Sequence, residues 1–443
     1  MEAVLDVLRQ AGAALLGLLQ SPFYYLAVLL IMLQYMRQTR LERKLFAVRL
    51  HAWPTQLGRT IVAGLAVGFI ISCVGLFLGV TVTGEAVLWM WGTAAVLVFV
   101  RLRYLCFAYS VGLLGILQWA FGWTSLGERS DWIGSAAVSL AGLDIPGLLV
   151  LVALMHLGEA LLVRWQGARF TSPLFLEGKR GKLVGGYSLH GYWPVPMLLL
   201  VPAVSGGSGD ALPWTVLLGD GSLWSNGFTM IGFPMMIGFS ELTRSLLPEA
   251  KARSASKGLL YYGLGVGAVA VAASFWSPLT LAAALCALLL HEALVAISYF
   301  KEEASSPFYV HDERGLRVLA VIPGTPAEAM GIVAGEVIHK VNGVQVRTKE
   351  ELYAALHVHS AFAKLEVLNH EGQVKFLQRA RYAGEHHQLG VVLAPDDRAG
   401  YYAAATPASL LDLLMRKRTA KSRQQHAAVS ASSSQPASTQ ASL

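Results

Sequence analysis

The sequence predicts a polytopic α-helical membrane domain followed by a small soluble α/β domain and a polar tail. Three observations predict it. Hydrophobic residues make up 54% of the 443 positions and charged residues 14%, more apolar surface than one soluble core can bury. The apolar residues are segregated, with long runs filling 1–300 and a soluble pattern from 301 onward. Lys and Arg gather in short loops between the runs and in the tail, as topology signals do.

A bilayer-crossing helix needs about 20 mostly apolar residues. Candidate spans are 60–80, 85–100, 104–123, 145–164, 192–204, 223–240, 258–276 and 279–299. Four basic clusters alternate with loops that carry almost no positive charge. The first holds Arg37, Arg40, Arg43, Lys44, Arg49 and Arg59, and the second Arg101 and Arg103. The third holds Arg164, Arg169, Lys179, Arg180 and Lys182, and the fourth Arg244, Lys251, Arg253 and Lys257. The positive-inside rule puts all four in the cytoplasm, so the spans form hairpins and the soluble domain after Lys301 is cytoplasmic. The expected organisation is a short helical hairpin, or an interfacial helix plus a span, over 1–36. A transmembrane domain of about eight helices over 37–300 follows. A folded domain occupies 306–395, and a basic Ser/Ala/Gln-rich tail 396–443.

At the N-terminus, apolar stretches 4–19 and 22–36 meet at Ser21-Pro22. Glu2 and Asp6, with no basic n-region, do not read as a cleavable signal peptide. Trp132–Asp144 reads as a possible helix on the outer face. Gly64-x-x-x-Gly68, Gly75-x-x-x-Gly79 and Gly263-x-x-x-Gly267 fit close helix–helix approach within the chain. Cys73, Cys106 and Cys286 lie in apolar runs without metal or disulfide spacing and read as small buried hydrophobes. The net charge of +7 is spent on loops and tail, so no nucleic-acid partner is expected.

From Phe308 to about Pro395 the pattern turns to short β-rich runs. Leu316, Val318, Ala320 and Ile322 alternate as in a half-buried strand. Pro326 opens a short helix that Gly331 closes. Val337, Ile338 and Val341 form a strand ended by the Asn342-Gly343 turn. Thr348-Lys-Glu-Glu351 is a capping box that starts a helix bearing Leu352 and Leu356. Phe362–Leu368 and Val374–Arg379 complete a sheet. The order of P-G-T-P-A-E-A-M-G-I (323–332), A-G-E-V-I-H-K-V-N-G (334–343) and the capped helix resembles a bacterial-type PDZ domain over about 85 residues. Such a domain is a partly open β-barrel or sandwich with two helices.

The resemblance implies that a partner's segment adds as a strand at a sheet edge, with a carboxylate held by backbone N–H groups. Carried onto this chain, it implies a carboxylate loop of Arg314, Gly315, Leu316 and Arg317. The pairing strand is then Leu316–Ala320, including Val318, and Leu352 and Leu356 face the groove. The loop reads G-L-R-V, which leaves open a C-terminal or an internal ligand segment; both arginines read equally as solvated surface. In the tail, Leu410, Leu411, Leu413, Leu414 and Met415 precede Arg416, Lys417, Arg418, Lys421 and Arg423. This is either an amphipathic helix on anionic lipid or a helix packed on the folded domain; beyond Gln424 the composition is that of a disordered segment.

A His-Glu-x-x-His metalloprotease motif is incomplete, because His291-Glu292 is followed by Val295. His156 and Glu159 lie on one helix face without a third ligand, and interhelical hydrogen bonding is the plainer reading for His156, Glu159 and His291. Gly206-Gly-Ser208-Gly209 matches a rhomboid-type pattern but sits in a Gly/Ser-rich loop. No nucleotide fingerprint appears, so neither catalysis nor a cofactor or catalytic metal is expected.

The layout of Pro-interrupted N-terminal segment, basic R-x-x-R-x-x-R-K stretch (37–44), paired spans and single C-terminal PDZ domain resembles the MinJ-type cell-division topological determinants. That resemblance implies a membrane-anchored scaffold for division-site selection. Its partners would be DivIVA-like, MinD-like and division-machinery proteins, and it would be enriched at septum and poles. A PDZ-gated intramembrane protease or protease regulator is the alternative; a transporter with a regulatory PDZ domain fits less well, with few midplane charges. The oligomeric state is not legible.

Overall fold

A computed structural model describes residues 2–178, 182–202, 212–218, 227–359, 362–380 and 389–396. These form two compact units, one of residues 84–145 and the other of 1–83 together with 146–396. The expected amphipathic segment at 410–423, and Ser208, lie outside the described residues.

The smaller unit holds α4 (Gly84–Val100), α5 (Phe107–Phe121) and α6 (Trp132–Ala141). At 17, 15 and 10 residues they are shorter than an ordinary crossing. Asp131 caps α6, its carboxylate accepting the Gly134 N–H at 3.0 Å. Trp89 and Glu85 of α4 both bond to Ser139 of α6.

In the larger unit, α3 (Trp53–Leu78), α7 (Ile145–Gln166), α8 (Pro248–Phe275) and α9 (Leu279–Ala304) are long and apolar enough to cross a membrane. Helices α1 (Glu2–Gln20) and α2 (Pro22–Phe46) meet at Ser21 with a bend of 55°. Pro22 sits in the first turn of α2, where its missing N–H costs nothing, so one helix stops and the next starts. Gly263 and Gly267 of α8 meet Ala153 and Leu157 of α7, as the small-residue spacing predicts.

The described parts of the runs at 192–204 and 223–240 are not helices. They belong to strands β2 (Leu183–Pro202) and β3 (Phe228–Thr243), which pair antiparallel from Tyr187↔Thr243 to Pro202↔Phe228. The short β1 (Thr171–Glu177) adds to the base of β2. The prolines give the reason: Pro194, Pro196, Pro202 and Pro234 would each break a helix interior but are tolerated at strand edges. Strand β2 lies against α3, and Gly64-x-x-x-Gly68 serves that contact, not a helix pair. A Cβ at Gly64 or Gly68 would collide with the carbonyl oxygen of Pro194 or Pro196.

One end of this unit gathers the charged and polar residues. Buried Glu42 at the end of α2 accepts the N–H groups of Leu50 and His51 and the hydroxyl of Ser172 in β1. Gln166 at the end of α7 links the Arg59 carbonyl of α3 to the Trp193 indole of β2. Lys251 in the first turn of α8 meets Glu241 of β3 and Ser298 of α9. The C-terminal domain docks at this same end. The Gly185 N–H donates to the Tyr309 carbonyl at 2.9 Å, Phe308 N–H to the Arg244 carbonyl at 2.8 Å, and the Tyr187 hydroxyl to the Leu319 carbonyl.

Candidate functional site

The C-terminal domain comprises β4 (Leu316–Val321), α10 (Pro326–Ala329), β5 (Val337–Val341), β6 (Val344–Gln345), α11 (Lys349–His357), β7 (Phe362–Leu368), β8 (Val374–Ala380) and β9 (Val391–Leu393). Asn342 and Gly343 both take positive φ, 50° and 86°, which is what a two-residue hairpin turn between β5 and β6 requires. The Asn342 side chain also ties this turn to the Ala355 carbonyl of α11 and the Lys364 N–H of β7. The capping box of α11 is formed: Thr348 Oγ1 accepts the Glu351 N–H, and the Glu351 carboxylate accepts the N–H of Thr348. Leu316, Val318, Ile338, Val341, Leu352, Leu356, Leu365 and Val367 fill one core.

The sequence-derived peptide site does not survive this arrangement. Strand β4 is used on both sides: residues 335–338 bond to Leu316–Val318, and residues 390–394 to Arg317–Ile322. Leu316 and Val318 are fully buried, so no ligand strand can join there. The Arg314–Arg317 loop spends its donors internally. Arg314 N–H goes to Asp312 Oδ1, Gly315 N–H to the Asp312 carbonyl and Arg317 N–H to His311 Nδ1. Arg314 is exposed but already paired, and Arg317 is largely buried. Arg314 pairs with Asp312, and Arg317 donates to the Val310 and Gly335 carbonyls and to Asp312 while its guanidinium lies 4.7 Å from the Phe308 ring centroid. Burial works against the Asp312 carboxylate, but the Arg314 hydrogen bonds outweigh it and hold its pKa below the usual value. Leu352 and Leu356 are core residues beneath α11 rather than an open groove wall.

The open position lies one strand further out. The sheet order is β8-β7-β5-β4-β9, so β9 is an edge strand, bonded to β4 alone among the described residues. The Gly390 carbonyl accepts from Ile322 and the Ala394 N–H donates to Arg317, both at 2.9 Å. Because successive residues of a strand alternate their hydrogen-bonding side, the N–H and C=O groups of Val391 and Leu393 point away from β4. Their side chains are half-buried and pack on the domain core, as does half-buried Tyr353 of α11. Gly390 has φ +86°, and a Cβ there would collide with Thr325, so the entry to β9 requires glycine. The geometry is that of an edge able to accept one more strand beside an apolar floor. The sequence signal for it is Leu389-Gly-Val-Val-Leu393, a short apolar run behind a glycine that periodicity alone leaves unassigned.

Within the helices, His156 of α7, Tyr262 of α8 and His291 of α9 come together, with ring centroids 4.7 Å (His156–Tyr262) and 5.4 Å (His156–His291) apart. His156 Nδ1 meets the Val152 carbonyl, and the Tyr262 hydroxyl donates to the Ala287 carbonyl. The His156 bond lies within its own helix, and the three rings pack where α7, α8 and α9 meet.

Comparison with known proteins now bears on the fold. The PDZ-domain family profile matches residues 317–365, from β4 into β7. Over 396 residues the chain is 30% identical to the cell division topological determinant MinJ of Bacillus subtilis (strain 168), covering 89% of this chain and 96% of the relative. The chain belongs to the MinJ family. MinJ-family relatives named probable cell division topological determinants in Lacticaseibacillus paracasei and Lacticaseibacillus casei (strain BD-II) are each 25% identical, over 87% of this chain and 100% of theirs. The similarity runs through both the helical region and the PDZ domain. It supports a role in division-site selection for a MinJ-family membrane protein that carries a PDZ domain.

Proposed function

We propose that the protein is a membrane-anchored adaptor of division-site selection that captures an extended segment of a partner along the free edge of β9. The observation that carries this reading is the outward-facing backbone of Val391 and Leu393 above an apolar floor, in a sheet whose neighbouring strand is fully paired. The partners are DivIVA-like and MinD-like proteins and the division machinery, and the adaptor has no catalysis of its own. The PDZ domain and C-terminus lie in the cytoplasm. Support for that sidedness comes from the helix ends bearing Arg43, Lys44, Arg59, Arg164 and Lys251, which gather where the PDZ domain docks.

The test is site-specific photocrosslinking in dividing rod-shaped cells, with the photoreactive residue at position 391 or 393 and, as control, at Phe376 on β8. Adducts with a DivIVA-like or MinD-like protein from β9 positions, and none from Phe376, are expected. Adducts from Phe376 alone would overturn the assignment of the edge. Uniform envelope staining of a fluorescent fusion, in place of septa and poles, would count against the adaptor role itself.

A further inference from the structure

The apolar part of the β2–β3 ribbon lies beside α3 over the length that crosses the membrane. At the basic end, Gln166 joins the Arg59 carbonyl of α3 to Trp193 of β2. At the other end, Val82 N–H donates to the Leu200 carbonyl, and Leu218 N–H to the Leu78 carbonyl. From Arg59 to Leu78 a helix rises about 29 Å, and from Trp193 to Pro202 a strand rises about 30 Å. Each matches the thickness of a bilayer's hydrocarbon core, about 30 Å.

The contacts between the two advance in step. Gly64 meets Pro194, Gly68 meets Pro196, and Ser72 meets Leu198. Four helical residues rise about 6 Å and two strand residues about 6.7 Å, so the two elements stay in register for several turns.

Strands are tolerated at membrane depth only where protein covers their backbone, and here the β2 edge that faces α3 is covered. Residues 194, 196, 198 and 200 turn the same backbone side toward α3. Pro194 and Pro196 have no N–H to strand there. The Leu198 N–H donates to Ser72 Oγ at 2.8 Å, and the Leu200 carbonyl accepts from Val82. On the other edge, α1 lies against β3, where a Cβ at Gly232 would collide with the Ala14 carbonyl. At the far end Leu212, Trp214 and Val216 pack with Leu200, Phe228 and Leu76.

The same β2 strand continues past the basic end to the PDZ domain. Gly185 pairs with Tyr309, and the Tyr187 hydroxyl holds the carbonyl of Leu319, which stands at the register shift of β4 opposite β9. We infer that the β2–β3 ribbon crosses the bilayer as a pair of strands and acts as a strut that fixes the PDZ domain, through β4 beside the edge strand β9, relative to the membrane. The chain thus carries β2 from its outer surface to the PDZ domain, joined there by an isolated bridge at Tyr309 and the Tyr187 side-chain hydrogen bond in place of a flexible tether.

The test uses the full chain in native membranes, with Cys73, Cys106 and Cys286 replaced. In the strand register Ser72→Cys with Leu198→Cys is joined by a short bifunctional thiol reagent and Ser72→Cys with Pro202→Cys is not. A helical crossing, advancing four residues for four, reverses that pattern. Thr215→Cys reacts with a membrane-impermeant maleimide in intact cells, whereas Glu177→Cys reacts only after permeabilisation; labelling of both from one side would overturn the crossing. For the strut, Tyr187→Phe should speed amide exchange in 316–321 and 391–393 at least several-fold while the Ser72–Leu198 crosslink persists. Unchanged exchange would overturn it. None of these readouts involves a partner, so they fail independently of the adaptor reading.

Discussion

Replacing Lys251 by Met should be among the most damaging single changes outside the PDZ core. The Lys251 Nζ lies 3.1 Å from a Glu241 carboxylate oxygen, 2.9 Å from Ser298 Oγ and 3.8 Å from Glu302, with its side chain 7% exposed. At an effective dielectric constant of about 20, attraction over these separations is about 5 and 4 kcal/mol, most of it offset by the cost of desolvating the ions. Removing the cation forfeits the attraction and leaves two carboxylates facing each other with little water. The expected loss is about 3–5 kcal/mol, the usual cost of breaking a buried pair. Glu302 also accepts the backbone N–H groups of Arg244 and Ser245, next to the strand-to-domain connection, so PDZ docking should loosen as well. The assay is thermal and denaturant unfolding of the detergent-solubilised full chain. Lys251→Met/Glu241→Gln should recover a substantial part of the loss. A single variant within about 1 kcal/mol of the parent, or a double variant no better than the single, would refute the reasoning.

Leu393→Pro removes an outward N–H from β9 while sparing the bonds to β4; partner capture should fall about five-fold to a hundred-fold with the circular dichroism of the PDZ domain retained, and unchanged pull-down would exclude β9. Gly68→Ala should cost about 1–3 kcal/mol because the new methyl meets a backbone carbonyl, whereas Gly75→Ala, with open space around it, should be neutral or slightly stabilising; thermal denaturation compares the two. His311 is held neutral chiefly by burial, which depresses its pKa below 6.5. Protons therefore favour the unfolded chain, and the His311 contribution is intact at neutral pH and is lost as pH falls below about 6.5. The steepest slope is about 1.4 kcal/mol per pH unit. Unfolding midpoints from pH 7.5 to 5.5 should fall less for His311→Gln, and parallel curves would contradict this.

Local chemistry made the PDZ elements legible: Thr348 and Glu351 cap a helix, Asn342-Gly343 turns a hairpin, and Leu316, Val318 and Ala320 alternate toward one core. The peptide edge was not legible, because an edge is defined by what fails to pair with a strand. That β4 is enclosed depends on residues 390–394, 68 to 77 positions away in sequence. Arg314 and Arg317 looked available until Asp312 and Phe308 were placed beside them.

By itself the sequence determined that the chain is a membrane protein with several long apolar helices and that a PDZ domain follows the last of them. Run length, charge placement and turn residues are one-dimensional quantities, and they suffice for those conclusions. Only the tertiary structure decided that 192–202 and 228–240 belong to strands and that β9 is an edge strand of the PDZ sheet. An apolar run records burial, not backbone period, and in lipid both a helix and a covered ribbon satisfy it. Which one forms here depended on Gly64, Gly68 and Ser72 of a distant helix meeting prolines that have no donor to leave unpaired.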